Sequence, residues 1–244
     1  MNEKRKRRVD QMEREIAELF QKSFGENLVS LIVIGSYGTY DIVEGYSDYD
    51  LLVLVKDAKN VPIISLERMA QKYALEMGFS AVPYVDFENR LADNKKATRF
   101  VSNIFLVELK EKARVLAGKN IKELIPEVHE IVQRDIRSEW QENYEHAVSE
   151  GQSIFKRKPE KWVNYIINMS DALLLGQGVA VPKKDIPAML EKYHPQFLGT
   201  DYVKQSLILR QTKKVLALSE EEKEELRKML VMFLEEYRKY VFLS

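Results

Sequence analysis

The chain has 244 residues, of which 45% are hydrophobic, so it can bury a substantial core in one large domain or two small ones. Its 38 basic residues balance 38 acidic ones, and this neutrality argues against a nucleic-acid-coating protein, which would carry a basic excess. The absence of cysteine excludes disulfides and thiolate metal sites. With no signal-type apolar start and no apolar run of about 18 residues, we expect a soluble, cytoplasmic protein without a membrane partner.

The first half of the chain alternates helix and strand patterns. An apolar stripe predicts a helix over residues 5–24, and the five cations at residues 4–8 are typical of a solvated helix start or, alternatively, of a phosphate contact. Apolar runs too short for a core helix predict buried strands at Leu28–Ile34 and Tyr49–Val55. The further predicted elements are a helix over 66–77, a strand over 80–87, a helix over 95–109 and a strand over 113–117.

From about residue 126 the pattern becomes wholly helical. Helices are predicted over residues 128–149, 161–175, 186–193 and 202–216. A last helix follows Ser219, which forms a capping box with Glu222. The change of pattern near residue 120 predicts two domains, 1–122 and 123–244.

The segment from Leu31 to Val55, LIVIGSYGTYDIVEGYSDYDLLVLV, carries the chemical signal. A buried strand ends at Gly35-Ser36, where a residue without a β-carbon lets the backbone approach a ligand. The Ser36 hydroxyl and the amides that follow can donate to a phosphate, particularly where a helix begins. This half of the segment therefore predicts a phosphate-binding turn.

Asp48 and Asp50 open the second strand of that segment. Residues two apart on a strand point to the same face, so the two carboxylates repel each other unless a cation neutralises them. Such an aspartate pair can also consist of turn residues. However, Asp50 precedes the apolar run Leu-Leu-Val-Leu-Val, where an idle charge would be costly. Hard oxygen ligands beside phosphates favour Mg²⁺.

Gly-Ser, a loop and Asp-x-Asp before an apolar strand resemble the polymerase-beta-type nucleotidyltransferase superfamily, which includes antibiotic and minimal nucleotidyltransferases. The resemblance covers roughly the first 120 residues and implies an α/β (α+β) nucleotidyltransferase domain with a small mixed sheet, followed by an all-α helical-bundle domain. It implies that Gly35 and Ser36 hold the triphosphate of ATP or another nucleoside triphosphate. It also implies that Asp48 and Asp50 bind Mg²⁺, as two ions.

The same resemblance implies a third carboxylate on a neighbouring strand. The candidate is Asp86, as a catalytic residue and metal ligand, with Glu88 as the alternative on the same face of the predicted strand. In such a site, two ions about 4 Å apart bridge the carboxylates and the phosphates. The acceptor hydroxyl then attacks the α-phosphate and pyrophosphate leaves.

The acceptor is open at this stage. The leading expectation is transfer of AMP to a hydroxyl of a small molecule, such as an aminoglycoside-like compound, by a homodimer. One alternative is AMPylation of a protein, as in antitoxin-type minimal nucleotidyltransferases, although their loop is one residue shorter than residues 37–47. The other is a nucleotide-binding protein without catalysis. Nucleic acid is not an expected partner, because the neutral chain lacks a basic groove.

Overall fold

The computed structural model describes residues 3–92, 102–149 and 158–243. The chain divides into two compact units, Met1–Glu127 and Val128–Ser244. The predicted boundary, after residue 122, falls in the short turn Ile121–Glu123. That the first unit acts as a nucleotidyltransferase domain and the second as a separate helical-bundle domain stays a prediction.

The first unit contains a mixed four-stranded sheet with helices packed against it. Its helices are α1 (Glu3–Phe24), α2 (Gly35–Gly38), α3 (Glu67–Tyr73), α4 (Tyr84–Leu91) and α5 (Asn103–Lys112). Its strands are β1 (Leu28–Ile34), β2 (Tyr49–Val55), β3 (Met77–Pro83) and β4 (Arg114–Gly118).

The strand order is β3-β2-β1-β4, and only the β2–β3 pair is parallel. The apolar stripe of α1, from Val9 to Phe24, packs on one face of the sheet against Leu31, Val33 and Val53. The two central strands are thus covered, which explains why β1 and β2 match their predicted bounds residue for residue.

Three predictions around β3 need correction. The strand predicted over 80–87 runs from Met77 to Pro83, because proline has no amide for the ladder and the chain enters α4 at Tyr84. The helix predicted over 66–77 ends at Tyr73, since Ala74 takes a left-handed conformation with φ +54°. Of the helix predicted over 95–109, residues 95–101 lie outside the described residues. The described part, α5, begins after Ser102, whose hydroxyl accepts from the amide of Phe105 at 3.0 Å.

The second unit has helices and no strand among its described residues, which is the predicted class. Its helices are α6 (Val128–Ile131), α7 (Ile136–Ser149), α8 (Pro159–Leu175), α9 (Ile186–Tyr193), α10 (Thr200–Gln211) and α11 (Glu220–Leu243). The single helix predicted over 128–149 is wrong, because Asp135 interrupts it and accepts from the amide of Ser138 at 3.2 Å. The capping box is confirmed: Ser219 and Glu222 exchange hydrogen bonds of 2.9 and 3.2 Å. None of the described helices has both the length and the apolar character needed to cross a membrane.

Candidate active site

The turn after β1 begins at Gly35, whose φ of +64° lies in the left-handed region that residues with a β-carbon avoid. This conformation turns the chain at once into the one-turn helix α2. Within it, the amide of Thr39 donates to the carbonyl of Gly35 at 3.3 Å. The first amides of a helical turn have no acceptor within the helix. The structure therefore has a tight turn at Gly35 and Ser36 that leads into a helix, which is the geometry expected from the sequence.

The loop that follows is fixed at its far end by Ser47. The buried Ser47 hydroxyl accepts from the amide of Val43 at 2.9 Å, and the Ser47 amide donates to the carbonyl of Val43 at the same distance. These two bonds close a short turn immediately before Asp48. The loop thus places Asp48 at the start of β2.

Asp48 and Asp50 lie on the side of β2 opposite to Tyr49. Tyr49 has 0% of its surface exposed and belongs to the core between the sheet and α1. Because side chains alternate along a strand, the two aspartates point to the other face, where Asp50 is exposed and Asp48 is half-buried. The prediction that they share a face agrees with this geometry.

The turn after β1 and the aspartates at the start of β2 come together at Gly35 and Asp50. Asp50 is paired with Ile34 across the antiparallel β1–β2 ladder, so it lies beside the start of the turn. A β-carbon added to Gly35 would lie 3.6 Å from Oδ2 of Asp50. The turn at Gly35 and the carboxylate of Asp50 are therefore adjacent in the structure.

The third-carboxylate candidates, Asp86 and Glu88, follow the opposite end of the neighbouring strand. They lie on helix α4, beyond the carboxyl end of β3, whereas the aspartate pair lies at the start of β2. Since β2 and β3 are parallel and Asp50 is paired with Gly78, the end of β3 at Pro83 is five residues, or about 16 Å, from the level of Asp50. Residues two apart on a helix also point to different sides, so the shared face predicted for Asp86 and Glu88 is wrong.

At the correct end of the sheet, the neighbouring strand offers Gly78 and Glu76. Gly78 is paired with Asp50, and a β-carbon added to Gly78 would have no atom of the described residues within 4 Å. Glu76 immediately precedes β3, and its carbonyl accepts from the amide of Tyr49 at 2.8 Å. Sequence reasoning missed Glu76 because it took residues 66–77 as a helix. The exposed Gly78 and Ser80, alternating with the more buried Phe79, were the strand signal.

The protein itself supplies an incomplete set of metal ligands here. Within residues 3–92, 102–149 and 158–243, no group of three His, Cys, Asp or Glu side chains is close enough to hold a metal ion. Asp48 and Asp50 are two hard oxygen ligands on one face. Such a pair fits Mg²⁺, which commonly takes one or two carboxylates and completes its shell with water and substrate phosphates.

Among solved structures, the chain is similar to the spectinomycin adenyltransferase AAD(9) from Enterococcus faecialis, crystallised with ATP and spectinomycin. The match has a TM-score of 0.55 at 15% identity and covers 94% of this chain and 99% of that one. The chain has the nucleotidyltransferase fold. The predicted fold class is thereby confirmed, and the similarity in fold covers residues of both units.

Two toxin–antitoxin structures also match, one with AMP-PNP and one of a mutant MntA-HpeT pair. They share 19% and 18% identity, cover 59% of this chain and 95% of their own, and have TM-scores of 0.32. The fold assignment depends on the spectinomycin adenyltransferase alone. No family model and no curated protein sequence matches the chain.

Proposed function

We propose that the protein is a metal-dependent nucleotidyltransferase that moves AMP from ATP onto a hydroxyl of a small molecule and releases pyrophosphate. The observation that carries this proposal is the junction of Gly35 with Asp50, whose Oδ2 lies 3.6 Å from the position of an added β-carbon. It brings a turn suited to phosphate and a carboxylate pair suited to cations into one site. Similarity in fold to an adenyltransferase that was crystallised with ATP supports the choice of donor.

Each residue of the pair and the turn has a separate task. Gly35, without a side chain, lets the triphosphate approach the backbone, and the Ser36 hydroxyl and neighbouring amides donate to its oxygens. Asp48 and Asp50 would hold Mg²⁺, as two ions. When bound, the metal supplies positive charge that neutralises the triphosphate and favours ionisation of the acceptor hydroxyl.

We further propose Glu76 as the group that accepts the acceptor's proton, in place of Asp86. Glu76 is exposed and lies at the level of Asp48, next to the start of β2. The acceptor oxygen loses its proton to the Glu76 carboxylate and forms a bond to the α-phosphorus. The bond from the α-phosphorus to the bridging oxygen breaks, and pyrophosphate departs with both electrons. The protein contributes mainly position and charge.

For the acceptor, we propose an aminoglycoside-like compound with free hydroxyls. The support is the fold similarity over 94% of the chain to an enzyme crystallised with spectinomycin. Transfer to a protein hydroxyl needs the same site and is therefore an outcome of the test below. A cytoplasmic location and a homodimer stay predictions.

The experiment is incubation of the protein with Mg²⁺ and each α-labelled nucleoside triphosphate, with a panel that includes spectinomycin and aminoglycosides, or with a cell lysate. We expect label from ATP on a small molecule and release of pyrophosphate in equal amount. Label on a protein would replace the small-molecule proposal with AMPylation. No pyrophosphate under any condition, from folded protein, would overturn the enzymatic proposal and favour nucleotide binding alone.

A further inference from the structure

A partly buried ion pair lies on the α1 side of the sheet, opposite the aspartate pair. Glu13 interrupts the apolar stripe of α1 and is 7% exposed, so its charge needs a partner. Arg114, the first residue of β4, donates through Nη1 and Nη2 to the two Glu13 oxygens at 2.8 and 2.5 Å. This two-pronged geometry makes the pair strong and fixes its orientation.

The same guanidinium group also holds the phosphate-binding turn. Nη2 of Arg114 donates to the carbonyl of Tyr37 at 2.9 Å, and Nε donates to the carbonyl of Gly38 at 3.2 Å. The ring of Tyr40 covers the guanidinium group at 4.0 Å. The last carbonyls of a helix have no donor within it, so Arg114 satisfies the end of α2.

The turn has little room to move relative to β4. A β-carbon added to Gly38 would lie 2.8 Å from the carbonyl oxygen of Lys112 and 3.2 Å from that of Val33. The backbone of α2 thus packs directly against the segment that leads to Arg114. A change in the Arg114 side chain would be transmitted to the turn.

Glu13 connects the pair to the other half of the site. The hydroxyl of Tyr49, the residue between Asp48 and Asp50, donates to Oε1 of Glu13 at 3.4 Å. Burial raises the pKa of Tyr49, so its hydroxyl keeps the proton that it donates. The rings of Tyr37 and Tyr49 also meet edge to face, with centroids 4.8 Å apart. One ion pair therefore contacts both the turn and the strand of the aspartates.

We infer that Glu13 and Arg114 are positioning residues that set the distance between the phosphate-binding turn and the aspartate pair. The inference rests on the proposed function. Neither side chain belongs to the face that carries Asp48 and Asp50, so the pair acts through Tyr37, Gly38 and Tyr49. Small displacements of groups that orient a substrate can cost about a hundredfold in rate.

The first test is Arg114→Lys, which keeps the charge but loses the fork that reaches both carboxylate oxygens and both carbonyls. We expect binding of a non-hydrolysable ATP analogue with Mg²⁺ to weaken about tenfold and kcat to fall about a hundredfold. The matched control is Lys72→Met with Glu15→Leu, which removes a surface pair of 2.7 Å between α3 and α1. The control should keep nucleotide affinity and kcat within about twofold of wild type.

A double variant distinguishes a positioning role of the ion pair from a role in stabilising the fold. Glu13→Leu with Arg114→Met removes both charges of the pair, which costs less stability than leaving the buried Glu13 carboxylate without its partner. We expect its melting temperature to exceed that of Glu13→Leu alone and of Arg114→Met alone, while kcat stays as low as in Arg114→Lys. Recovery of both stability and kcat to wild-type levels would overturn the inference, because the pair would then be structural only.

A readout without nucleotide keeps this inference separate from the proposed function. The amides of Thr39 and Tyr40 donate within the turn at 3.3 and 3.4 Å, so their hydrogen exchange reports its order. We expect exchange to accelerate at least about tenfold in Arg114→Lys and not in the surface control. Unchanged exchange would overturn the positioning inference whether or not the wild type transfers a nucleotide. Accelerated exchange in a protein that binds no nucleotide would instead count against the proposed function.

Discussion

The carboxylate of Asp50 lies over the backbone of Gly35, with Oδ2 3.6 Å from the place of a β-carbon. This approach follows from the pairing of Ile34 with Asp50 across the first two strands, followed by the left-handed turn at Gly35. A substrate phosphate at this turn and a cation on Asp50 would therefore be neighbours. The relationship brings a glycine and an aspartate that are separated by a loop in the sequence next to each other in the fold.

The first prediction concerns Gly35→Ala. The left-handed φ of +64° should cost about 1–2 kcal/mol for alanine, and the methyl group would enter the space beside the Asp50 carboxylate. We expect a folded protein with a lower melting temperature and a loss of nucleotide transfer of at least about tenfold. Circular dichroism and initial rates of pyrophosphate release measure the two effects.

Gly25→Ala is the matched control for backbone strain. Gly25 has a similar φ of +52°, and a β-carbon added to it would have no described atom within 4 Å. We expect a similar loss of stability with unchanged transfer. Equal losses of transfer in both variants would show that strain, and not proximity to Asp50, causes the defect.

The second prediction concerns Asp48→Asn and Asp50→Asn. Each substitution keeps the size of the side chain and removes one charge from the pair, so we expect the protein to stay folded. Transfer should drop at least about a hundredfold. The increase in melting temperature on adding Mg²⁺ and the ATP analogue should disappear.

Asp57→Asn serves as the control, because Asp57 follows the other end of β2. Its carboxylate accepts from the amide of Lys59 at 2.9 Å and from the Asn60 side chain at 2.6 Å. Its loss should lower stability and leave transfer intact. Full activity in either Asp48→Asn or Asp50→Asn would remove the basis of the proposed metal site.

The sequence predicts β1, β2 and the aspartate pair well because the signal there is local. Both strands are short apolar runs: β1 ends before Gly35, and β2 begins after Asp48. The alternation of side chains along a strand is enough to place Tyr49 opposite Asp48 and Asp50. That Tyr49 faces the core and the aspartates face outward can therefore be predicted without knowing the rest of the fold.

The remainder of the site depends on contacts between distant parts of the chain. Glu13 and Arg114 are 101 residues apart, and only the placement of a glutamate within an apolar helix stripe hints that it needs a partner. The end of β3 was misjudged because Pro83 stops the ladder while the apolar pattern continues into α4. Asp86, the predicted third carboxylate, therefore follows the carboxyl end of β3, whereas Asp48 and Asp50 lie at the start of β2.

The third prediction tests the proposal that Glu76, and not Asp86, accepts the proton of the acceptor hydroxyl. Glu76→Gln should lower kcat about 10²–10⁴-fold, the range for loss of a general base, with little change in the Michaelis constant for ATP or in stability. The fall of kcat at low pH, which comes from protonation of the general base, should also become less steep. Asp86→Asn and Glu88→Gln, on α4, should retain wild-type rates. A wild-type rate in Glu76→Gln, or a severe loss in Asp86→Asn, would contradict the assignment.

His194, 1% exposed, is buried in the helical unit as a neutral ring. Nε2 donates to the carbonyl of Leu173 at 3.1 Å, and Nδ1 accepts from the hydroxyl of Tyr240 at 2.6 Å. Protonation of Nδ1 would require the Tyr240 hydroxyl to accept instead of donate and would place a charge on a buried ring. Burial lowers the pKa of His194 below its ordinary value, more than the bond to Leu173 raises it.

The fourth prediction follows from that lowered pKa. Between the lowered native-state pKa of His194 and about pH 6.5, the unfolded chain binds a proton on this ring that the native state does not. The contribution to stability is therefore complete above about pH 6.5 and falls as the pH decreases to the native-state pKa, by at most about 1.4 kcal/mol per pH unit. Urea unfolding followed by tryptophan fluorescence at pH 7.5 and 5.5 reports this unit, since both tryptophans, Trp140 and Trp162, belong to it. His194→Gln should be less stable at pH 7.5 but should lose less stability at pH 5.5, while the exposed His129→Gln should behave as wild type. An equal decline in His194→Gln and wild type would assign the pH dependence to other groups.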